Sequence, residues 1–268
     1  MKGDDVAQLI ALDAPVRRYG FRQAAKSEML KLSTLRSTLV TLAITVVGTL
    51  TVTALAVNGD LSQARRPGFD PTNQSMTGLL IGMLTLGVLG ALAVTGEYGT
   101  GAIRSSLSAT PRRPLFVLAK VSVVGALTLI AGEVLTFSCF GVGQLVLSAG
   151  GAPTAALSQP GVLRAVLLTG AALPLFALLG LGLGFVVRNT AGAVASYAGL
   201  TFLLPFVFQR LPGDPSRFTP VPIVANSVAA VVNQGSPQLA APVGYALIAL
   251  YVVVVLAVGA ALMIRRDA

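Results

Sequence analysis

The feature that most constrains this chain is a series of unbroken apolar runs, each about twenty residues or longer, separated by polar stretches. At about 1.5 Å of rise per residue such a run crosses a hydrocarbon core of about 30 Å, whereas a helix of a soluble core needs only one apolar stripe. Six runs occur, at 37–57, 76–96, 115–148, 162–187, 191–208 and 241–264. The expected fold is therefore all-α, a polytopic membrane protein with six transmembrane helices. Composition agrees, since only 11% of residues are charged and 54% are hydrophobic, against roughly 25% charged in an ordinary soluble domain. Residues 1–36 are expected to form an N-terminal segment and 37–268 the six-span domain. The polar and basic stretch before the first run lacks the form of a cleavable signal peptide, so the first span is expected to stay in the mature protein.

An even number of spans puts both termini on one side, and the positive-inside rule chooses that side. With the N-terminus in the cytoplasm, only Arg65, Arg66, Arg164, Arg210 and Arg217 of the nineteen basic residues fall outside. The net charge of +9 then reports orientation. The expected partner is the lipid bilayer, not nucleic acid.

Three segments outside the spans carry information. Before the first span, Arg18, Arg22 and Lys26 repeat every four residues beside a stripe of Phe21, Ala25, Met29 and Leu32, which describes an amphipathic helix at the inner membrane face. Between the fifth and sixth runs, the apolar stretch 219–232, set among Pro220, Pro222 and Pro237, is too short to span. It reads as a re-entrant or interfacial helix pair on the outer side. The other outer loops, 58–75 and 149–161, read as plain connections. The third segment is the loop 97–114 between the second and third runs. Thr100 is a suitable N-cap, Ile103 and Leu107 share a face, Pro111 stops the helix, and Arg112 and Arg113 follow. A compact helix shown at the membrane surface suits the docking of another protein.

The chain has one cysteine, Cys139, and no histidine, which excludes a disulfide framework and the usual zinc and iron–sulfur sites. It contains no Gly-Lys-Ser or Gly-Lys-Thr, so it has no phosphate-binding loop. No cofactor is expected on this chain.

The order Glu97, Gly99-Thr100, a short helix, Pro111 with Arg112 or Arg113, and then Lys120 resembles the permease subunits of bacterial ABC transporters of the type 2 exporter class. The segments 27–32 and 35–38 resemble that family's approach to its first span, and the layout of six spans with both termini inside is similar throughout. The residue before Glu97 is Gly96, where the family often carries a second charge. The resemblance implies a bacterial cytoplasmic-membrane permease whose coupling helix, with Glu97, Gly99, Thr100, Ile103, Arg104, Leu107, Pro111 and Arg112, sits in a cleft of a separate ATP-binding cassette subunit. ATP and magnesium would be held by that subunit. It also implies a dimer, of two copies or with a related chain, and export. The apolar lining suggests a hydrophobic or amphiphilic cargo such as a drug, peptide or lipid.

Individual polar residues refine these expectations. Glu97 is placed to pair with Arg104 or with a basic group of the N-terminal helix. Glu133 lies deep within the third run, where a charge costs about 3 kcal/mol, so it should face the bundle interior or be protonated. It is either a polar point on a transport path or a structural carboxyl, hydrogen-bonded in the bundle or paired with Arg164. Lys120 and Arg188 sit at inner span ends and read as snorkelling anchors. Gly180, Gly182 and Gly184 offer a small-residue face for close helix packing, Pro174 and Pro205 are candidate kinks, and Cys139 reads as a small buried hydrophobe. Two other classes stand beside the permease. A secondary transporter driven by an ion gradient would have Glu133 as its proton carrier, and an intramembrane enzyme would need a nucleophile and base that the spans do not supply.

Overall fold

A computed structural model of the chain describes residues 20–64, 66, 68–109, 112–228 and 239–265. Within these the protein is helical and contains no strand. Six helices are long and apolar enough to cross a membrane: span one (Arg36–Gly59), span two (Leu79–Gly99), span three (Arg113–Ala149), span four (Val162–Val187), span five (Thr190–Phe208) and span six (Ala241–Arg265). An N-terminal helix, Phe21–Thr34, precedes span one, and a loop helix, Ala102–Ala109, joins spans two and three.

Boundaries depart from the apolar runs where local chemistry overrides hydropathy. The 58–75 connection is not plain: Asp70 caps a short helix, Pro71–Ser75, its carboxylate accepting from the Thr72 and Asn73 N–H groups at 2.9 and 3.1 Å. Turns at residues 76–78 then delay span two, which in compensation runs on through Glu97 and Tyr98 to Gly99. Span five holds one π-helical turn, Gly199–Leu203, just before Pro205. Spans four and five meet at Arg188, which sits in the left-handed region, and the Asn189 side chain caps the new helix by accepting from the Gly192 N–H at 3.0 Å.

Spans two and four form the centre. Their most apolar stretches are 61% and 67% buried, against 22% in spans one, five and six. The two central helices touch backbone to backbone. A Cβ placed on Gly90 would collide with the Ala177 carbonyl, and one on Gly180 with the Gly87 carbonyl. Gly182 faces span six, where a Cβ would meet Val255 at 2.8 Å. The glycine face of span four thus serves packing within this chain. Tyr197 of span five locks onto the same centre, its hydroxyl donating to the Met83 carbonyl at 2.6 Å. Span three packs on span four, and span one lies across spans two and three through the buried stripe Thr45, Thr49 and Thr53.

At one end of the bundle, Gln144 of span three joins the short helix before span two, donating to Ser75 Oγ at 3.0 Å and to the Pro71 carbonyl at 3.2 Å. The apolar stretch after span five forms a helix, Pro220–Val228, packed against spans four and six. A second helix of the expected pair would fall on residues 229–238, outside the described residues, as do Arg18, Arg65 and Pro237.

Candidate functional site

The opposite end, which carries the N-terminal and loop helices, holds the densest polar arrangement among the described residues. It starts from the N-terminal helix, whose inward face is Ala24, Glu28 and Leu32 at four-residue spacing. The stripe read from the sequence is split by the structure: Leu32 is buried and Ala25 partly so, while Phe21 and Met29 are exposed with Arg22 and Lys26. The reason is Glu28. Two ammonium groups draw it inward, and the helix turns to follow.

Those ammonium groups belong to Lys31 and Lys120. Lys31 donates to Glu28 Oε1 at 2.7 Å, to Ser106 Oγ of the loop helix at 2.9 Å and to Glu97 Oε1 at 3.1 Å. Lys120, two turns into span three, donates to Glu28 Oε2 at 2.5 Å, to Glu97 Oε1 at 2.8 Å and to the Ala93 carbonyl of span two at 3.0 Å. The Phe116 ring lies under both, its centroid 5.1 Å from the Lys120 nitrogen and 5.8 Å from that of Lys31. Two positive and two negative charges give a neutral set. Glu28 and Lys120 are only 4% and 2% exposed, so this is a buried ion network and not a surface pair. At Lys31, burial opposes the charge, but the hydrogen bond and charge of Glu28, helped by Glu97, outweigh it and hold the pKa above its ordinary value of 10.5.

Lys120 is therefore not a snorkelling anchor. Its stem points into the bundle because two carboxylates wait there. Glu97 takes the second of its two expected partners, the N-terminal helix, and Arg104 is exposed and unbonded to it. Arg188 also departs from the anchor reading: its guanidinium donates to the Leu262 carbonyl of span six at 3.0 Å and lies 5.3 Å over the Tyr98 ring. Arg113 binds the same helix end, donating to the Met263 and Ile264 carbonyls at 2.7 and 3.0 Å. These contacts occupy carbonyls that a helix C-terminus leaves without intrahelical partners.

The loop helix differs in detail from its sequence reading. Thr100 does not cap its start. It ends span two, with both its N–H and its hydroxyl donating to the Gly96 carbonyl. Gly99 is the last residue of that span, and the turn into the loop helix is made by Gly101 at φ 72°, a conformation that favours glycine. Ile103 is 4% exposed and Leu107 is packed against the core. The apolar pair expected to face a partner instead holds the helix on its own chain, because a helix of eight residues has no stability without such burial. The outward face is Arg104, Ser105 and Ser108. Arg112 is exposed, and Pro111 lies outside the described residues.

Glu133 stands apart. Its carboxyl lies against Gly170 of span four, where a Cβ would meet both oxygens at 2.6 and 2.8 Å. Its Oε2 is buried without a hydrogen-bond partner, and Arg164 is exposed at the start of span four and makes no ion pair with it. Cys139 is fully buried. No group of three metal-ligating side chains occurs among the described residues. Glu28 and Lys31 are site members that the sequence offers only within a stretch of resemblance, and Lys120 is one that it offers as an anchor. The available signals were a lysine interrupting an apolar run and a Glu-Lys pair three residues apart. A comparison with protein-family models gives no match, and a comparison with curated proteins gives none either.

Proposed function

We propose that this chain is the membrane-spanning permease subunit of an ATP-driven transporter, of the ABC type 2 exporter class that its sequence resembles. The loop helix Ala102–Ala109 serves as the coupling helix, the N-terminal helix lies at the inner membrane face, and both termini are cytoplasmic in a bacterial plasma membrane. The helix Pro220–Val228 is part of the outer re-entrant segment. ATP is hydrolysed on a separate cassette subunit, a second permease copy completes the pathway, and a hydrophobic or amphiphilic cargo is exported.

The observation that carries this reading is the Glu28–Lys31–Glu97–Lys120 network. It joins the N-terminal helix, the loop helix through Ser106, and the ends of spans two and three into one piece. A loop helix that merely connected two spans would have no need of such bracing, whereas one that transmits force from a partner would. With Ile103 and Leu107 turned inward, the docking surface is the Arg104, Ser105 and Ser108 face. The test is to place cysteines at Ser105 and Ser108 and crosslink them to a co-expressed ATP-binding cassette subunit. Crosslinking there, together with ATPase stimulation that Glu97→Ala abolishes, is expected. Stimulation unchanged by Glu97→Ala would refute the coupling role.

A second reading rests on Glu133, whose unpartnered buried oxygen suits a proton carrier in a gradient-driven transporter. Uptake or efflux by this chain alone in proteoliposomes under a proton gradient, lost in Glu133→Gln, would favour it over the ATP-driven reading.

A further inference from the structure

A groove of 540 Å³ opens at the end of the bundle that carries the ion network, between the start of span three and the end of span six. It is lined by Arg112, Arg113, Pro114, Leu115, Leu118 and Ile264. The depression is shallow and open, and its chemistry is divided along the two helices. Arg112 is exposed at the rim, and Arg265, also exposed, sits beside Ile264 in the last turn of span six. Below them the wall is apolar and open, with Leu118 58% and Ile264 52% exposed. No carboxylate lines the groove among the described residues. The amino end of span three, a helix of 37 residues without a side-chain cap, adds the positive end of its dipole.

We propose that this groove is a binding site for one anionic phospholipid, the phosphate headgroup held by Arg112 and Arg265 and an acyl chain lying along Leu118 and Ile264. The occupant is chosen by the pairing of the two halves. Guanidinium groups at the rim call for phosphate, which they bind with two parallel hydrogen bonds. A soluble phosphate, however, would leave the apolar floor exposed. A protein would need an acidic and an apolar patch in matching register to do what one lipid does with its headgroup and chain. A phosphate attached to a hydrocarbon chain satisfies both halves in one molecule, and the groove lies at a span end, where headgroups sit. Basic pockets between spans on the cytoplasmic side are the usual form of such sites. Arg113 belongs to the frame of the site, since it already holds the Met263 and Ile264 carbonyls and so fixes the spacing of the two helices that form the walls. This inference depends on the chain spanning a bilayer and not on its being an ABC permease.

The test uses the full chain in nanodiscs of equimolar dioleoylphosphatidylglycerol and dioleoylphosphatidylcholine, released in the mass spectrometer to identify the lipids retained. The wild-type chain is expected to keep phosphatidylglycerol over phosphatidylcholine by roughly thirtyfold, the factor that two basic side chains contribute at a headgroup. Arg112→Gln with Arg265→Gln should bring the ratio to that of the surrounding bilayer, while Arg164→Gln with Arg210→Gln, changing exposed arginines elsewhere, should leave it in place. A wild-type ratio equal to the bilayer's would overturn the proposal, as would an equal loss in the Arg164 and Arg210 variant. Displacement of the lipid by soluble glycerol 3-phosphate would also overturn it, because the acyl chain would then contribute nothing. If the Arg112 and Arg265 variant released a protein partner with the lipid ratio intact, the groove would belong to that partner.

Discussion

Replacing Lys120 by Met tests the ion network most directly. Methionine keeps the length and apolar stem of lysine and removes only the charge and three donors. The wild-type set of two lysines and two glutamates is neutral, and the variant carries one buried negative charge in excess, with Glu28 and Glu97 left to share Lys31. Lys120 is lost from Glu28 at 2.5 Å, from Glu97 at 2.8 Å and from the Ala93 carbonyl at 3.0 Å. Removing one partner from a buried ion pair costs about 3–5 kcal/mol, mostly because the remaining charge is uncompensated. Adding Glu97→Gln restores neutrality, leaving Lys31 with Glu28 at 2.7 Å and an amide oxygen where the carboxylate was. The double variant is therefore expected to be more stable than Lys120→Met alone, with a coupling energy of about 2–3 kcal/mol. The chain has no tryptophan, so the assay is helix content by far-ultraviolet circular dichroism during unfolding in mixed dodecylmaltoside and dodecyl sulfate micelles. Destabilisation by Lys120→Met of less than about 1 kcal/mol would place the network in a wet, screened setting and refute the reasoning. Additive losses in the double variant would refute it equally.

Gly90→Ala should destabilise the chain by about 1–3 kcal/mol in the same assay, because the new methyl collides with the Ala177 backbone, which cannot rotate away. Gly96→Ala, with open space around it, is expected to be neutral or stabilising. Ile103→Ala should release the loop helix in the isolated chain, seen as lost hydrogen-exchange protection over residues 102–109 with span two unchanged; intact protection would show that burial of Ile103 is not what holds the helix. The Lys31 contribution should follow pH with a definite sign. Its folded pKa lies above the ordinary 10.5, so its stabilisation is complete below 10.5 and fades as pH rises through the folded value. A Lys31→Met chain should accordingly converge with wild type only in strongly alkaline buffer, and convergence near neutral pH would contradict the assignment.

The spans were legible because their signal is length and hydropathy, which need no knowledge of neighbours. The loop helix and the N-terminal helix were legible as helices for a similar reason. Their orientation was not. Which face of Phe21–Thr34 turns inward depends on Lys120, 92 residues from Glu28 in the chain, and no local periodicity reports that. Thr100 was misplaced by a rule of caps because span two continues three residues past its apolar run. That extension moves the helix end onto Thr100 and gives the turn to Gly101. Ile103 and Leu107 were correctly grouped on one face, but a sequence cannot say whether an apolar face meets its own chain or another. Glu133 stands out in the sequence as an acid within an apolar run, whereas its neighbour Gly170 could be found only in three dimensions.

The two ways this chain spends its buried carboxylates separate the two transport readings. Each ammonium group has three donors, and Lys31 and Lys120 each find three acceptors within 3.1 Å. With every donor of the network satisfied, its lysines are committed to fixing geometry, and the one group it leaves without a partner is Glu97 Oε2. Glu133 shares an unpartnered buried oxygen with Glu97 but differs in having no ammonium or guanidinium group bonded to it among the described residues. On the ATP-driven reading, mechanical input at the loop helix would pass through Ser106 and Lys31 to spans two and three, and span four, locked to span two at Gly90 and Gly180, would move with them. Rigid groups of helices move by sliding on their less packed neighbours. Motion driven from the loop helix would on that reading displace spans two, three and four as a unit, and the surfaces that accommodate it would belong to spans one, five and six, most of whose area is not packed on this chain.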